Sequence, residues 1–413
     1  MSRFLKKICI LFIILCGIIG LYYFYSSHVK IFLIGLDGAS WDIINPLIQE
    51  NKLPYLQYLI KNGTYGVLKS ISPMFSPPLW TTIATGKARE KHGIMGFVVK
   101  DVDSGVLIPV TSNLRKVEAI WNILTNFNKR SIVLNYPVTY PPEKINGIMY
   151  GKLKYPPFLV NLKLNFSSYL NYPLVYPENI SSILSELYDR ASLKFDPNFE
   201  ELNDLILGEE FSLYFLKQKW DFFTIYINSI DSAQHRYWKY MEPEKFKEAV
   251  WDIKPEDLIK FRYRIQDTYI QTNNFIGEIL KKIDKKTIIF IVSDHGGEPM
   301  QEFDPKMPHI SGKHNINGII IIKGKNIKRN FVLKEASILD ITPTILYLLG
   351  LPVGRDMDGR VLREIVTPFF RFLHPVKYIS TYEKPGRTKY DKPIISPFDK
   401  KILEELRSLG YIQ

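Results

Sequence analysis

Thr287-Ile288-Ile289-Phe290-Ile291-Val292-Ser293-Asp294-His295-Gly296-Gly297 is the stretch on which the reading of this chain turns. A run of β-branched and aromatic residues ending in glycines predicts a strand buried on both faces of a parallel sheet. The carboxylate and imidazole fall where the strand ends, the edge at which an open α/β sheet binds its ligand. Two other strands close in the same way. Lys30-Ile31-Phe32-Leu33-Ile34-Gly35-Leu36 runs into Asp37-Gly38, and Phe222-Phe223-Thr224-Ile225-Tyr226-Ile227 runs into Asn228-Ser229-Ile230-Asp231, with His235 four residues on.

Around these strands the pattern alternates β and α, which predicts a three-layer α/β/α body with a mainly parallel central sheet. Helices are predicted over Trp41–Gln49, from Pro54, from Leu79 to Gly86 after the Pro-rich Ser72–Pro78, over Val117–Phe127, 204–218, 259–282 and 338–349, and near Asp399–Leu409. Further strands are predicted at 130–134 and 318–322. The rhythm lapses between about 152 and 205, which reads as a cap or insertion beside the site. A Pro-, Tyr- and Lys-rich tail from about 366 wraps the surface before the last helix.

The N-terminus is different in kind. Ile8–Tyr25 is an uninterrupted apolar stretch of 18 residues, close to the length that spans a hydrocarbon core. Arg3, Lys6 and Lys7 precede it and Tyr22-Tyr23-Phe24-Tyr25 closes it as an interfacial aromatic belt. Residues 1–28 therefore read as a membrane anchor with its N-terminus inside, and residues 29–413 as one extracytoplasmic catalytic domain. A cleaved signal peptide is the alternative; the long apolar core and the absence of a small-x-small site weigh against it.

Composition narrows the chemistry. The two cysteines, Cys9 and Cys16, both lie in the apolar segment, so the body has no disulfides, Cys nucleophile or Cys–metal site. The formal net charge is +12, but the lysines are scattered rather than gathered into a block. That argues against nucleic acid as a dedicated partner and for a membrane surface or an anionic substrate.

Carboxylate and imidazole ligands at three or four per ion suit zinc and its neighbours. Asp231 and His235, at i and i+4, project from one face of a helix start, with His314 as their third partner and His309 as its rival. Asp37, Asp294 and His295 compose a second set that a nucleophile hydroxyl would complete. Each pair has a blander reading taken singly: Asp37 as a helix cap, Asp231 and His235 as a surface pair, Ser76 as a turn residue. His92 reads as a loop-ordering residue, and His28 and His374 as surface residues.

The chain resembles the alkaline phosphatase superfamily, and within it the type I phosphodiesterase/nucleotide pyrophosphatase-like group. The residues that carry the likeness are Leu36-Asp37-Gly38, Ser76–Gly86, Lys91-His92-Gly93-Ile94, Asn135–Pro142, Asp231–His235, Ser293–Gly296, Lys313-His314-Asn315 and Asp340–Ile345 with Leu349-Gly350-Leu351-Pro352. The resemblance implies Ser76 as nucleophile through a phosphoserine intermediate. It also implies two divalent ions, zinc by default and manganese or iron as alternatives, held by Asp37, Ser76, Asp294 and His295 and by Asp231, His235 and His314. The expected activity is hydrolysis of a phosphoric ester, most simply a diester. The alternatives are a phospho-head-group transferase on lipid or glycan and a non-catalytic, metal-stabilised binding protein.

Departures from the pattern bear on substrate. Leu79 stands where the nucleotide pyrophosphatases often have Asn, Trp80 stands where a sulfatase needs Arg, and no Arg is placed to grip a dianionic monoester. Lys87, Asn135 and Lys152 are the candidates for the non-bridging oxygens.

Overall fold

The computed structural model describes residue 17 and residues 29–413 apart from 102, 152–173, 248–250, 252, 306, 308, 384–391, 397–398, 409–411 and 413. Nine strands, numbered here in chain order, form the main sheet: β1 Ile31–Leu36, β2 Thr64–Lys69, β3 Ser131–Tyr136, β4 Gly147–Gly151, β5 Val175–Tyr176, β6 Phe222–Ile227, β7 Ile288–Val292, β8 Asn317–Lys323 and β9 Phe331–Leu333. Their spatial order is β9-β2-β8-β7-β1-β6-β3-β4-β5. Five pairings are parallel and three antiparallel, the latter being β8 with both its neighbours and β4 with β5. The expected mainly parallel α/β architecture is present.

The central strands are apolar throughout because both faces are covered. On β1, Phe32, Ile34 and Leu36 enter one core and Ile31 and Leu33 the other, as the two-residue period requires. The first core is roofed by helices Trp41–Gln49, Pro54–Lys61, Ser181–Ser192, Asn203–Phe215, Ser229–Met241 and Arg264–Lys282. The second is roofed by Ser76–Thr85, Ile120–Asn126 and Ile341–Leu348. Between β1 and β6 the cross-strand pair Phe32 and Phe223 stacks with ring centroids 4.5 Å apart, a contact worth about 0.5–1.5 kcal/mol beyond burial.

Several local expectations change. The region 152–205 is not irregular over its described part: β5 and the 12-residue helix Ser181–Ser192 lie in it, the helix burying Leu184, Leu187, Tyr188 and Ala191 on one stripe. That stripe has the helical period, which Tyr- and Pro-rich flanks obscured. The single helix expected over 259–282 is two, Pro255–Phe261 and Arg264–Lys282, and 338–349 opens with a 3-10 turn. Strand β2 went unread because its alternation, with Gly66 and Lys69 in it, is that of a half-buried strand.

Among the described residues no helix is long and apolar enough to cross a membrane. The expected anchor, with Cys9 and Cys16, lies outside them apart from Gly17.

Candidate metal and nucleophile centre

Strand order brings the site together. β1 lies between β6 and β7 and parallel to both, with Leu36 beside Ile227 and Gly35 beside Val292. Three carboxyl ends therefore emerge side by side, delivering Asp37, then Asn228 to Asp231, then Asp294 and His295. The helix Ser229–Met241 starts immediately after β6, so Asp231 stands in its first turn and His235 one turn later on the same face. His314 arrives on a two-stranded ribbon, Gly296–Pro299 with Gly312–Asn315, where it pairs with Gly297.

The turn after β1 demands glycine. Gly38 has φ +73°, and a Cβ there would stand 3.1 Å from Asp231 Cα. The turn is pinned by three bonds: Gln234 Nε2 donates to Gly38 O at 2.7 Å, Ser293 Oγ accepts from Ala39 N at 2.8 Å, and Tyr269 OH accepts from Ser40 N at 2.9 Å.

All seven expected residues are described, and six of them converge. His235 Nε2 is 3.3 Å from Asp231 Oδ1, His314 Nε2 is 3.5 Å from the same oxygen, and the two Nε2 atoms are 3.0 Å apart. His295 Nε2 lies 3.0 Å from Asp37 Oδ1 and 3.7 Å from Asp294 Oδ2. His295 also stacks on His314, centroids 3.7 Å apart, so the two sets adjoin.

Two groups have metal-holding spacing: Asp231, His235 and His314, as expected, and Asp37, Asp231 and His295. Asp231 thus belongs to both, where two separate triads had been expected. The strand ends explain it: Asp231 sits directly against the Asp37–Gly38 turn.

The ring orientations follow from the backbone. Nδ1 of His235 faces Gly312 O at 2.8 Å, that of His314 faces Met74 O at 2.7 Å, and that of His295 faces Gly296 O at 2.9 Å. A carbonyl only accepts, so each Nδ1 donates its proton and each Nε2 turns inward, where its lone pair is open to a proton or a cation. Asp37, Asp294 and His295 are fully buried, and both oxygens of Asp294, Asp37 Oδ1 and His295 Nε2 make no hydrogen bond among the described residues. Buried carboxylates and inward imidazole nitrogens left without hydrogen bonds are the donor set of hard or borderline divalent cations, and these residues fit them.

Electrostatics agree with the geometry. Burial acts to raise Asp231, but His235 and His314 outweigh it and hold its carboxyl well below the usual range. Burial and the neighbouring charge of Asp37 push Asp294 well above its ordinary value. On Asp37 burial is again opposed, here by His295 and Tyr226, and the net shift is downward. Burial opposes the charged form of His295, yet Asp294 and Asp37 carry it up to about 10.

Ser76 is buried and opens the helix Ser76–Thr85. That helix is seated by Trp80, which lies over Gly35 of β1 and against Tyr136 and Tyr226. The bond from His314 Nδ1–H to Met74 O ties the Ser76 loop to the imidazole cluster. Pro77 and Pro78 have no amide hydrogen, so Ser76 carries the one N–H in the first three positions of the helix.

The candidates for phosphate oxygens change. Lys87 Nζ is buried and bound to Asp356 at 2.6 Å and Glu383 at 3.0 Å, and Asn135 Nδ2 is given to Asp204 at 2.7 Å and Tyr226 O at 3.1 Å. Both are structural, and Lys152 lies outside the described residues. His309 is exposed, which leaves His314 as the candidate third residue beside Asp231 and His235. His92 is structural as expected: its Nδ1 accepts from Ile94 N at 3.2 Å, and burial, then Arg115, drops its pKa to about 3. Tyr226 went unread; its OH donates to Asp37 Oδ2. In an apolar strand such a tyrosine looks like core, and only the adjacency of β6 and β1 shows its role.

Comparison with known proteins bears on the fold and the family. Human ectonucleotide pyrophosphatase / phosphodiesterase 5 superposes with TM-score 0.52 at 12% identity, over 82% of this chain and 100% of that one. An inactive variant of the murine protein, in complex with AMP, superposes with TM-score 0.53 at 12% identity over the same 82% and 100%. At that identity the likeness carries the fold, an alkaline-phosphatase-like α/β body. In sequence, 100 residues are 29% identical to 2,3-bisphosphoglycerate-independent phosphoglycerate mutase from Antithamnion sp., covering 22% of this chain and 19% of that protein. The chain thus spans about a fifth of the length of that curated relative. The family model described as type I phosphodiesterase / nucleotide pyrophosphatase matches residues 31–338, from β1 to beyond β9. That match covers most of the chain: it belongs to the type I phosphodiesterase / nucleotide pyrophosphatase family of hydrolases.

Proposed function

We propose that the chain is a metal-dependent phosphodiesterase that works through a phosphoserine on Ser76. The observation that carries this reading is the convergence of three inward Nε2 atoms and three carboxylates beside the Ser76 loop. Two divalent ions, zinc by default, would be held by Asp37, Ser76, Asp294 and His295 and by Asp231, His235 and His314. Bound there, they supply Lewis acidity that makes the serine hydroxyl a usable nucleophile and offsets charge on the leaving oxygen.

Ser76 Oγ gives its proton to solvent and attacks phosphorus, the bond from phosphorus to the leaving oxygen breaks, that oxygen takes a proton from solvent to leave as the alcohol, and the singly esterified phosphoryl group rests on Ser76. Water then cleaves that ester and returns the hydroxyl. Tyr226 holds Asp37 in place, and the Ser76 amide is the one N–H that the first three helix positions offer to the developing charge. With Lys87 and Asn135 committed elsewhere, a diester with one formal charge suits the site better than a dianionic monoester. Residues 1–28 anchor the chain in a membrane with the catalytic body outside.

The test is metal content by mass spectrometry on the full chain in detergent, with turnover of bis-p-nitrophenyl phosphate and p-nitrophenyl phosphate. Bound divalent metal, with diester turnover lost in Ser76→Ala, supports the reading. AMP sits in the murine relative of like fold, so a nucleotide diester is the next substrate to try. Metal without turnover of either ester would remove the hydrolase, and no bound metal would remove the site.

A further inference from the structure

We infer that the amino edge of the main sheet is a docking face for an anionic lipid bilayer, which turns the catalytic edge away from the membrane. The inference rests on the reading of residues 1–28 as an anchor. Its support is a charge pattern, an apolar pair and a length of chain that all fall on one edge.

The parallel strands all start at this edge, joined there by hydrogen bonds from Ile31 N to Asp221 O and from Ile288 N to Lys30 O. β8 runs the other way and ends there, with Lys323 beside Ile289, and β9 starts there beside Thr64 of β2. The segments that lead into or out of these strands carry the exposed cations Lys219, Lys285, Lys286, Lys325 and Arg329. The acids in the same segments are Asp221 and Asp284. Five exposed cations against two acids leave these segments with a net excess of three positive charges at the amino edge.

Apolar surface joins the cations. Residues 365–367 bridge to 326–328 by Lys328 N to Ile365 O and Thr367 N to Asn326 O, both 2.8 Å, which seats the next helix, Pro368–Leu373, at this edge. Phe370 turns inward against Tyr347, while Phe369 and Phe372 are 73% and 83% exposed on either side of it, with the exposed Arg371 between. Aromatic rings among cations suit the headgroup layer of a bilayer.

Chain length selects the bilayer over other occupants. The apolar stretch ends at Tyr25 and β1 begins at Ile31, so Ser26–Lys30 must join membrane to body. Five residues reach at most about 18 Å, so the edge where β1 starts stays within that distance of the surface. The carboxyl ends stand about 20 Å further out along the six-residue strands. A site so placed acts on a water-soluble phosphoric ester and not on a lipid headgroup in the same bilayer.

Because the body has no cysteine, full-length protein with Cys9→Ser and Cys16→Ser accepts a single fluorophore at Phe372→Cys or at Lys313→Cys on the ribbon beside the site. Each is inserted into phosphatidylcholine vesicles with and without phosphatidylglycerol and quenched by headgroup-spin-labelled lipid. Quenching at 372 several-fold above that at 313, rising with phosphatidylglycerol and lowered by Lys285→Glu, Lys286→Glu and Arg329→Glu together, is the expected result. Equal quenching at the two positions in chain that resists alkaline carbonate extraction overturns this inference alone. Chain lost to carbonate overturns the anchor and this inference with it. A label at 372 that becomes buried in detergent without lipid, in proportion to protein concentration, assigns the face to a second copy of the chain and overturns the bilayer.

Discussion

His235 Nε2 and His314 Nε2 stand 3.0 Å apart, while each ring gives its Nδ1–H to a backbone carbonyl. Two nitrogen lone pairs facing each other at that distance repel unless a cation or a proton lies between them. His235→Ala or His314→Ala is therefore expected to weaken metal binding by at least about ten- to a hundredfold, more than loss of a supporting contact would. Chelation should lower the Tm of the wild type, since a cation held at a hundred times its Kd adds about 2.7 kcal/mol. Isothermal titration and a thermal melt check both. Unchanged affinity in either variant would remove that residue from the ligand set.

The imidazoles set the pH dependence. The His295 pKa is raised to about 10 and that of His235 is also raised, so in the metal-free protein a proton competes for each Nε2. The stability that His295 gains from its proton is fully present below its unfolded value near 6.5, and it is lost as pH rises through about 10. Metal must displace that proton, so apparent affinity is expected to climb with pH up to about 10, about tenfold per unit for each proton released. A pH-independent affinity between 6.5 and 9 would contradict the assignment.

Ser76→Ala should cut diester turnover by about 10³-fold or more while leaving the fold intact, as removal of a nucleophile does. Tm within a degree or two of wild type, read beside kcat, separates this from a folding defect. Ser76→Thr keeps the hydroxyl and should keep measurable turnover.

Tyr226→Phe removes the phenol that donates to Asp37. The carboxylate then keeps one charge-assisted bond fewer, a loss of about 1.5–3 kcal/mol in metal-free stability. Metal affinity should fall about ten- to a hundredfold, as for other partners that orient a ligand. Denaturant unfolding with and without metal measures both, and an unchanged pair of values would make the tyrosine a packing residue only.

Gly38→Ala tests the closeness of the first two strand ends. The new methyl group meets Asp231 at 3.1 Å in a backbone of φ +73°, which costs about 1–2 kcal/mol before any displacement. Turnover is expected to fall further than stability, because Asp231 belongs to both candidate metal groups. Equal proportional losses would count against that shared role.

The sequence by itself determined the layered α/β body and the candidate residues of the site. Apolar β-branched runs have no other stable place than a sheet covered on both faces, and Asp, His and Gly at their ends stand out against that background. It also isolated the apolar N-terminal stretch and the cysteine-free body. Tertiary structure alone decided what depends on strand order. β1 lies between β6 and β7, a long-range choice that no local propensity encodes, and this makes Asp231 common to both groups and sets Tyr226 on Asp37. It withdrew Lys87 and Asn135 from the site, because their partners Asp356, Glu383 and Asp204 are distant along the chain. It also put Lys219, Lys285, Lys286, Lys325 and Arg329, far apart in the chain, on one edge. Charge along a chain has no direction until parallel strands give all their starting loops the same one.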